Sequence, residues 1–145
     1  GQITTKKKFL SQTGTGSVSA APAWATLKRQ MKIIATDLTT HATDQKGWTT
    51  WEGPDSVTVR ATVNYRGTQG ATGTNNVWEV WKQTRTSDTS YSVFASVATI
   101  NNDYASFRTV SATDITLAEG DRLEIRHTAG NSSGEGCEIT FDEQD

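Results

Sequence analysis

Two tryptophans, Trp48 and Trp51, flank Thr49-Thr50 beside Gly47, Gly53 and Pro54. An indole offers a flat apolar face and one N–H donor. It suits a sugar platform, a protein interface or the cap of a core, so the pair forms a possible ligand surface. Groups able to make or break bonds are sparse. His41 and His127 lie far apart and in no zinc-ligand spacing such as HExxH. His127 continues the face of Leu123 and Ile125, which reads as a satisfied histidine within the fold. Cys137 is the only cysteine. It stands on an alternating strand with no cation near it in sequence, and it reads as a small buried hydrophobe. Gly14-Thr15-Gly16 lacks the lysine and the strand–helix setting of a phosphate loop. Asp142, Glu143 and Asp145 read as a solvated acidic end, since a calcium site needs more oxygen ligands brought together. These residue types predict binding rather than catalysis, with no cofactor and no metal. A site assembled from dispersed carboxylates would leave no linear motif.

The net charge of -2 conceals a division. Residues 1–36 hold Lys6, Lys7, Lys8, Lys28, Arg29 and Lys32 and no acid, or +6, whereas residues 37–145 hold 8 basic and 16 acidic side chains, or -8. A basic front on an acidic body points to docking on an acidic surface, on a neighbouring copy or on nucleic acid. Because the body is acidic, nucleic acid is not the expected partner. The run Ser11 to Ala21 has almost no apolar side chain with which to offset its ordering entropy. Residues 1–30 are therefore expected to form an extended basic arm. Its attachment residues would be Lys6, Lys7, Lys8, Phe9, Leu10, Trp24, Leu27, Lys28, Arg29 and, just beyond, Met31. No stretch approaches the roughly 20 apolar residues of a membrane span, and the front lacks the apolar core of a secretory signal. No membrane partner is expected. A lone cysteine fits synthesis in a reducing cytoplasm, where the Asn131-Ser132-Ser133 sequon would have no role.

The elements that must position these residues read as strands. Trp24, Leu27, Met31 and Ile34 share helical spacing, but Met31 to Leu38 also reads as a strand. A strand is expected from Met31, with an irregular or briefly helical lead-in. Val57, Val59, Ala61, Val63 and Tyr65 alternate with polar residues, the signature of a half-buried strand. Val77 to Lys82 carries large residues on both faces. Trp78, Trp81 and the later Phe107 are accordingly expected in the core or at a subunit contact. Glu119-Gly120-Asp121 reads as a tight turn, Arg122 to His127 alternates, and Cys137, Ile139 and Phe141 close the chain. About eight short strands without helix–strand alternation predict an all-β fold. It would be an antiparallel two-sheet jelly-roll sandwich over residues 31–145, behind the arm at 1–30.

The segment Asp114-Ile115-Thr116-Leu117-Ala118-Glu119-Gly120-Asp121-Arg122-Leu123-Glu124-Ile125 resembles the strand–turn–strand of tumour necrosis factor-like and complement globular-head-like jelly rolls. The Gly/Ser-rich loop and closing strand from Gly130 to Phe141, and the long alternation from Ser56 to Tyr65, extend the resemblance to about residues 48–141. Trp51-Glu52-Gly53-Pro54 stands where that family often has an aromatic Gly-Xaa-Tyr. The resemblance implies a homotrimer. With an N-terminal arm, the layout is similar to small phage capsid decoration (cement) proteins. It implies a non-enzymatic virion structural protein on the capsid surface, whose partner is the major capsid protein or another virion protein. Two alternatives stand beside it: a receptor- or glycan-binding head of a phage fibre, working through Trp48 and Trp51, and a small coat protein that packages nucleic acid with its basic arm.

Overall fold

The computed structural model describes residues 28–36, 45–65, 75–103, 106–130 and 136–145, together with the backbone of 8–11 and 23–26. The described residues form twelve strands and no helix. Two short ones, β1 (Lys8–Ser11) and β2 (Ala23–Thr26), pair antiparallel with Lys8 opposite Thr26 and Ser11 opposite Ala23. The body contains β3 (Gln30–Ala35), β4 (Gln45–Thr50), β5 (Val57–Tyr65), β6 (Asn76–Gln83), β7 (Arg85–Ser87), β8 (Ser90–Tyr91), β9 (Ala95–Asn102), β10 (Arg108–Leu117), β11 (Arg122–Ala129) and β12 (Cys137–Glu143). One sheet has the order β10-β5-β12-β3 and the other β4-β11-β6-β9. The pairings within both are antiparallel, and the strands pass between sheets in jelly-roll order. β7 and β8 pair separately as a small hairpin between β6 and β9.

Period-two patterning explains each strand. In β5, Val57, Val59, Ala61, Val63 and Tyr65 all point inward and are buried. β12 answers with Cys137, Ile139 and Phe141, and β6 and β11 supply Trp78, Val80, Leu123 and Ile125 from the opposite sheet. Removing apolar side chains of this size from water stabilises the fold by roughly 1.5–3 kcal/mol each. β10 departs from regular pairing. Its register with β5 shifts between Val110 and Asp114, where the buried Ser111 hydroxyl accepts the Thr113 amide at 3.0 Å.

The expected helical lead-in is absent, since residues 23–26 are extended and paired with 8–11. Helical spacing would align Met31 with Ile34. In strand β3 they fall on opposite faces, Met31 packed against the core and Ile34 exposed. Pairing with β12 satisfies the backbone of β3 and decides the outcome. Nor is the acidic end simply solvated. The inward series of β12 ends on Glu143, 2% exposed, whose carboxylate takes the Arg29 amide and side chain, each at 3.0 Å. Arg29 lies over the Trp51 ring, 4.4 Å from its centroid. Lys28 reaches Asp145 and Lys32 reaches Glu138, both at 3.0 Å, and Gln30 donates to Asp142. Half of the front cations are thus tied to the C-terminal strand and its end.

The turn between β10 and β11 organises that end of the sandwich. Asp121 N–H donates to Ala118 O at 3.0 Å, and Gly120 has φ +81°, which suits the third position of a type II turn. A Cβ at Gly120 would lie 2.3 Å from Arg85 Cδ. The Asp121 carboxylate is buried. It accepts the Ala118 amide at 3.0 Å and the Arg85 amide at 3.1 Å, and it pairs with Lys82 at 2.8 Å. Burial alone would raise its pKa, but the Ala118 and Arg85 amides and the Lys82 ammonium outweigh it and hold the carboxyl below its ordinary value of 3.8. A depressed folded-state pKa contributes stability above the unfolded value that is lost as pH falls through the folded one. Asp121→Asn is therefore expected to lower the unfolding free energy by about 1–3 kcal/mol at pH 7. The gap to the parent should narrow below pH ~4, as read by urea titration across pH.

Candidate functional site

The outer face of the sheet β4-β11-β6-β9 is unlike an ordinary solvated sheet face. Arg122, Glu124 and Arg126 of β11 do not enter the core and are interleaved with inward Leu123 and Ile125. Glu124 sits opposite Trp48 of β4 on one side and Trp81 of β6 on the other. Although it lies on an outer face, Glu124 is only 4% exposed. Its Oε1 takes Arg126 Nε at 2.6 Å and Nη2 at 2.5 Å, so its charge is met within the sheet. The Arg126 guanidinium lies over Trp81, 3.9 Å from the ring centroid, and Trp81 Nε1 donates to Glu79 at 2.7 Å. Trp48 is 59% exposed.

Arg122 completes the row. Its guanidinium lies 3.8 Å from the centroid of Tyr91 in β8 and 5.9 Å from that of Trp48, within cation–π range. Its Nε is buried and makes no hydrogen bond, and among the described residues no carboxylate pairs with it. Gln45, Trp48, Gln83, Phe94, Arg122 and Glu124 line a cleft of about 340 Å³. Phe94 of its wall belongs to the link that follows the β7–β8 excursion, and Tyr91 of β8 backs Arg122. Asp121 holds the start of that excursion through Arg85, and Ser92 N–H donates to Thr84 O at 2.9 Å across its neck.

The structure separates the residues that sequence spacing had grouped. Trp48 is a strand residue facing outward, whereas Trp51 is buried, with its Nε1 donating to Asp55 O at 2.9 Å. Trp51 belongs to the core, and Trp48 alone of the pair presents a surface. Trp78 is fully buried, stacked on His127 at 4.5 Å and donating to the Tyr65 hydroxyl. Trp81 lies on the outer face, and Phe107 is 60% exposed, outside the core of this chain. Of the proposed arm residues, Arg29 and Lys28 bond to the C-terminal end, and Met31 packs on the core. Lys8, Phe9, Leu10 and Trp24 lie on β1 and β2, while Lys6, Lys7 and Leu27 lie outside the described residues, as does His41.

Among the described residues, no group of three His, Cys, Asp or Glu could hold a metal ion. Burial pushes the Cys137 thiol up to about 12 and raises the Tyr65 phenol, so neither is a nucleophile at neutral pH. Gly130-Asn131-Ser132-Ser133-Gly134 has the spacing of a nucleophile elbow. That device needs a strand-to-helix turn, and here strands β11 and β12 stand on either side. His127 is buried, with Nε2 3.1 Å from Asn76 Oδ1.

No protein-family model matches the chain, and no curated protein does. A solved structure, titled as that of infectious bursal disease virus Gx strain, is similar over 94% of this chain at TM-score 0.37 and 11% identity. The chain spans 37% of the length of that one. A likeness this distant says nothing of function.

The site yields a contrast in stability. Glu124→Gln leaves Arg126 without its buried counter-charge and is expected to cost about 1–3 kcal/mol. Trp48→Ala, at an exposed position, should stay within about 0.5 kcal/mol. Denaturant midpoints of the two variants test this, and equal losses would count against Glu124 as the member that holds the face together.

Proposed function

We propose that the chain is a non-enzymatic structural protein of a virus particle. On this reading it is a trimeric jelly roll that decorates a phage capsid and clamps neighbouring coat subunits. The observation that carries this is the division of charge, +6 over residues 1–36 against -8 over the remainder. Lys28, Arg29 and Lys32 meet carboxylates of their own chain. The charge directed at a partner is therefore assigned to Lys6, Lys7 and Lys8, with Phe9 and Leu10 as the apolar anchor beside them. Three such segments on one trimer would multiply weak contacts through effective concentration. Exposed Ile34, Phe107 and Val110 are the apolar groups offered to neighbouring copies or to the shell.

Two measurements test the reading. Light scattering at low and moderate salt should give a mass near three times the 15.7 kDa chain. Removing residues 1–26 takes away β1 and β2 but keeps the Arg29–Glu143 contact. The truncated protein should remain folded by circular dichroism and lose attachment to the virus's own capsids. Decoration at parental occupancy by the truncated protein would falsify the role of the basic segment, and a clean monomer would remove the trimer.

A further inference from the structure

We propose that the cleft beside Trp48 is a saccharide site, and that it takes a pyranose carrying a carboxylate. The proposal concerns a different surface from the basic segment and does not depend on the assembly reading. Three features of the cleft converge on this ligand.

The first is the exposed indole. A pyranose has a face of C–H groups that stacks on a flat ring, and Trp48 presents such a ring at 59% exposure. An indole held open to solvent gains little for the fold. Its neighbour Trp51 shows how this chain buries a tryptophan when the core requires one. The second is the polar lining. Gln45 and Gln83 line the cleft together with the indole. Each amide can donate and accept, as paired sugar hydroxyls require. A volume of about 340 Å³ lies at the small end of the roughly 300–1,000 Å³ of ligand clefts, which suits one ring.

The third feature selects the acidic sugar. Arg122 lines the cleft with a half-buried guanidinium whose Nε alone is closed off from solvent, and it is held by Tyr91 and Trp48 rather than by a carboxylate. The carboxylate that does line the cleft, Glu124, is met by Arg126. The site therefore carries one positive charge that nothing described in the chain answers. A half-buried guanidinium without a counter-charge is costly, and a carboxylate in the cleft meets its terminal nitrogens with a charge-assisted, planar pair. A neutral sugar would stack on Trp48 and leave that charge unmet.

The test uses the full chain and saturation-transfer NMR. The probes are galacturonic acid, glucuronic acid and N-acetylneuraminic acid, set against neutral galactose and glucose. At least one acidic sugar should show transfer to its ring C–H protons and bind at least tenfold more tightly than the neutral sugars. Trp48→Ala should abolish the transfer and Trp48→Tyr should retain it. Arg122→Gln should remove the preference for the acid, with an unchanged melting temperature showing the variant folded. Absence of transfer from all three acids, equal affinity for the neutral sugars, or undiminished binding by Trp48→Ala would each overturn the proposal.

Discussion

The insertion of β12 between β3 and β5 is the constraint on which the rest depends. Phe141 pairs with Met31 on one side and Ala61 on the other, and Ile139 with Ile33 and Val63. Until that strand is in place, β3 has no partner in its sheet and β5 is paired on one edge only, with β10. The second sheet has the same character, because β11 enters between β4 and β6. Pairings so distant in sequence reward the chain only after a large loop-closure cost, so the fold should form slowly and in a concerted manner. The Arg29–Glu143 contact closes the arrangement. It joins the residue before β3 to the last residue of β12 and covers the Trp51 ring that caps that end of the core.

Alternation lets single strands serve both the core and the surface. β11 sends Leu123, Ile125 and His127 inward and Arg122, Glu124 and Arg126 outward. Glu124, Trp48 and Trp81 meet because antiparallel pairing sets them abreast. The outer row is therefore as well fixed as the core beneath it. Its cations lie against aromatic rings and its one buried acid is neutralised, an arrangement that costs less than a bare charge on a half-dry surface.

Much of this architecture was legible in the residues, and the limits have physical causes. The alternations of β5, β11 and β12 and the turn at Gly120 are local patterns, and each appears where it was read. Trp48 and Trp51 defeat local reading. Their spacing of three suggests a shared role, yet β4 ends between them and the chain turns, so one ring enters the core and the other does not. Arg122, Glu124 and Arg126 carried a signal, since three charges at alternate positions share a strand face. That this face also receives Trp48, Trp81 and Tyr91 depends on register between distant strands, which no window of sequence contains. The helical spacing of Trp24, Leu27, Met31 and Ile34 was outweighed by pairing with β1 and β12, a tertiary effect invisible in the segment itself.

The irregularity in β10 bears on how copies of the chain can meet. β10 is an outermost strand, and such a strand normally offers an unbroken row of amides and carbonyls to any passing chain. Here the backbone is re-aimed between Val110 and Asp114, and the Ser111 hydroxyl occupies the Thr113 amide. A foreign strand could zip along only a few residues before losing register. Runaway sheet extension along this border is blocked by geometry, and association there must proceed through side-chain fit, which is finite and self-limiting.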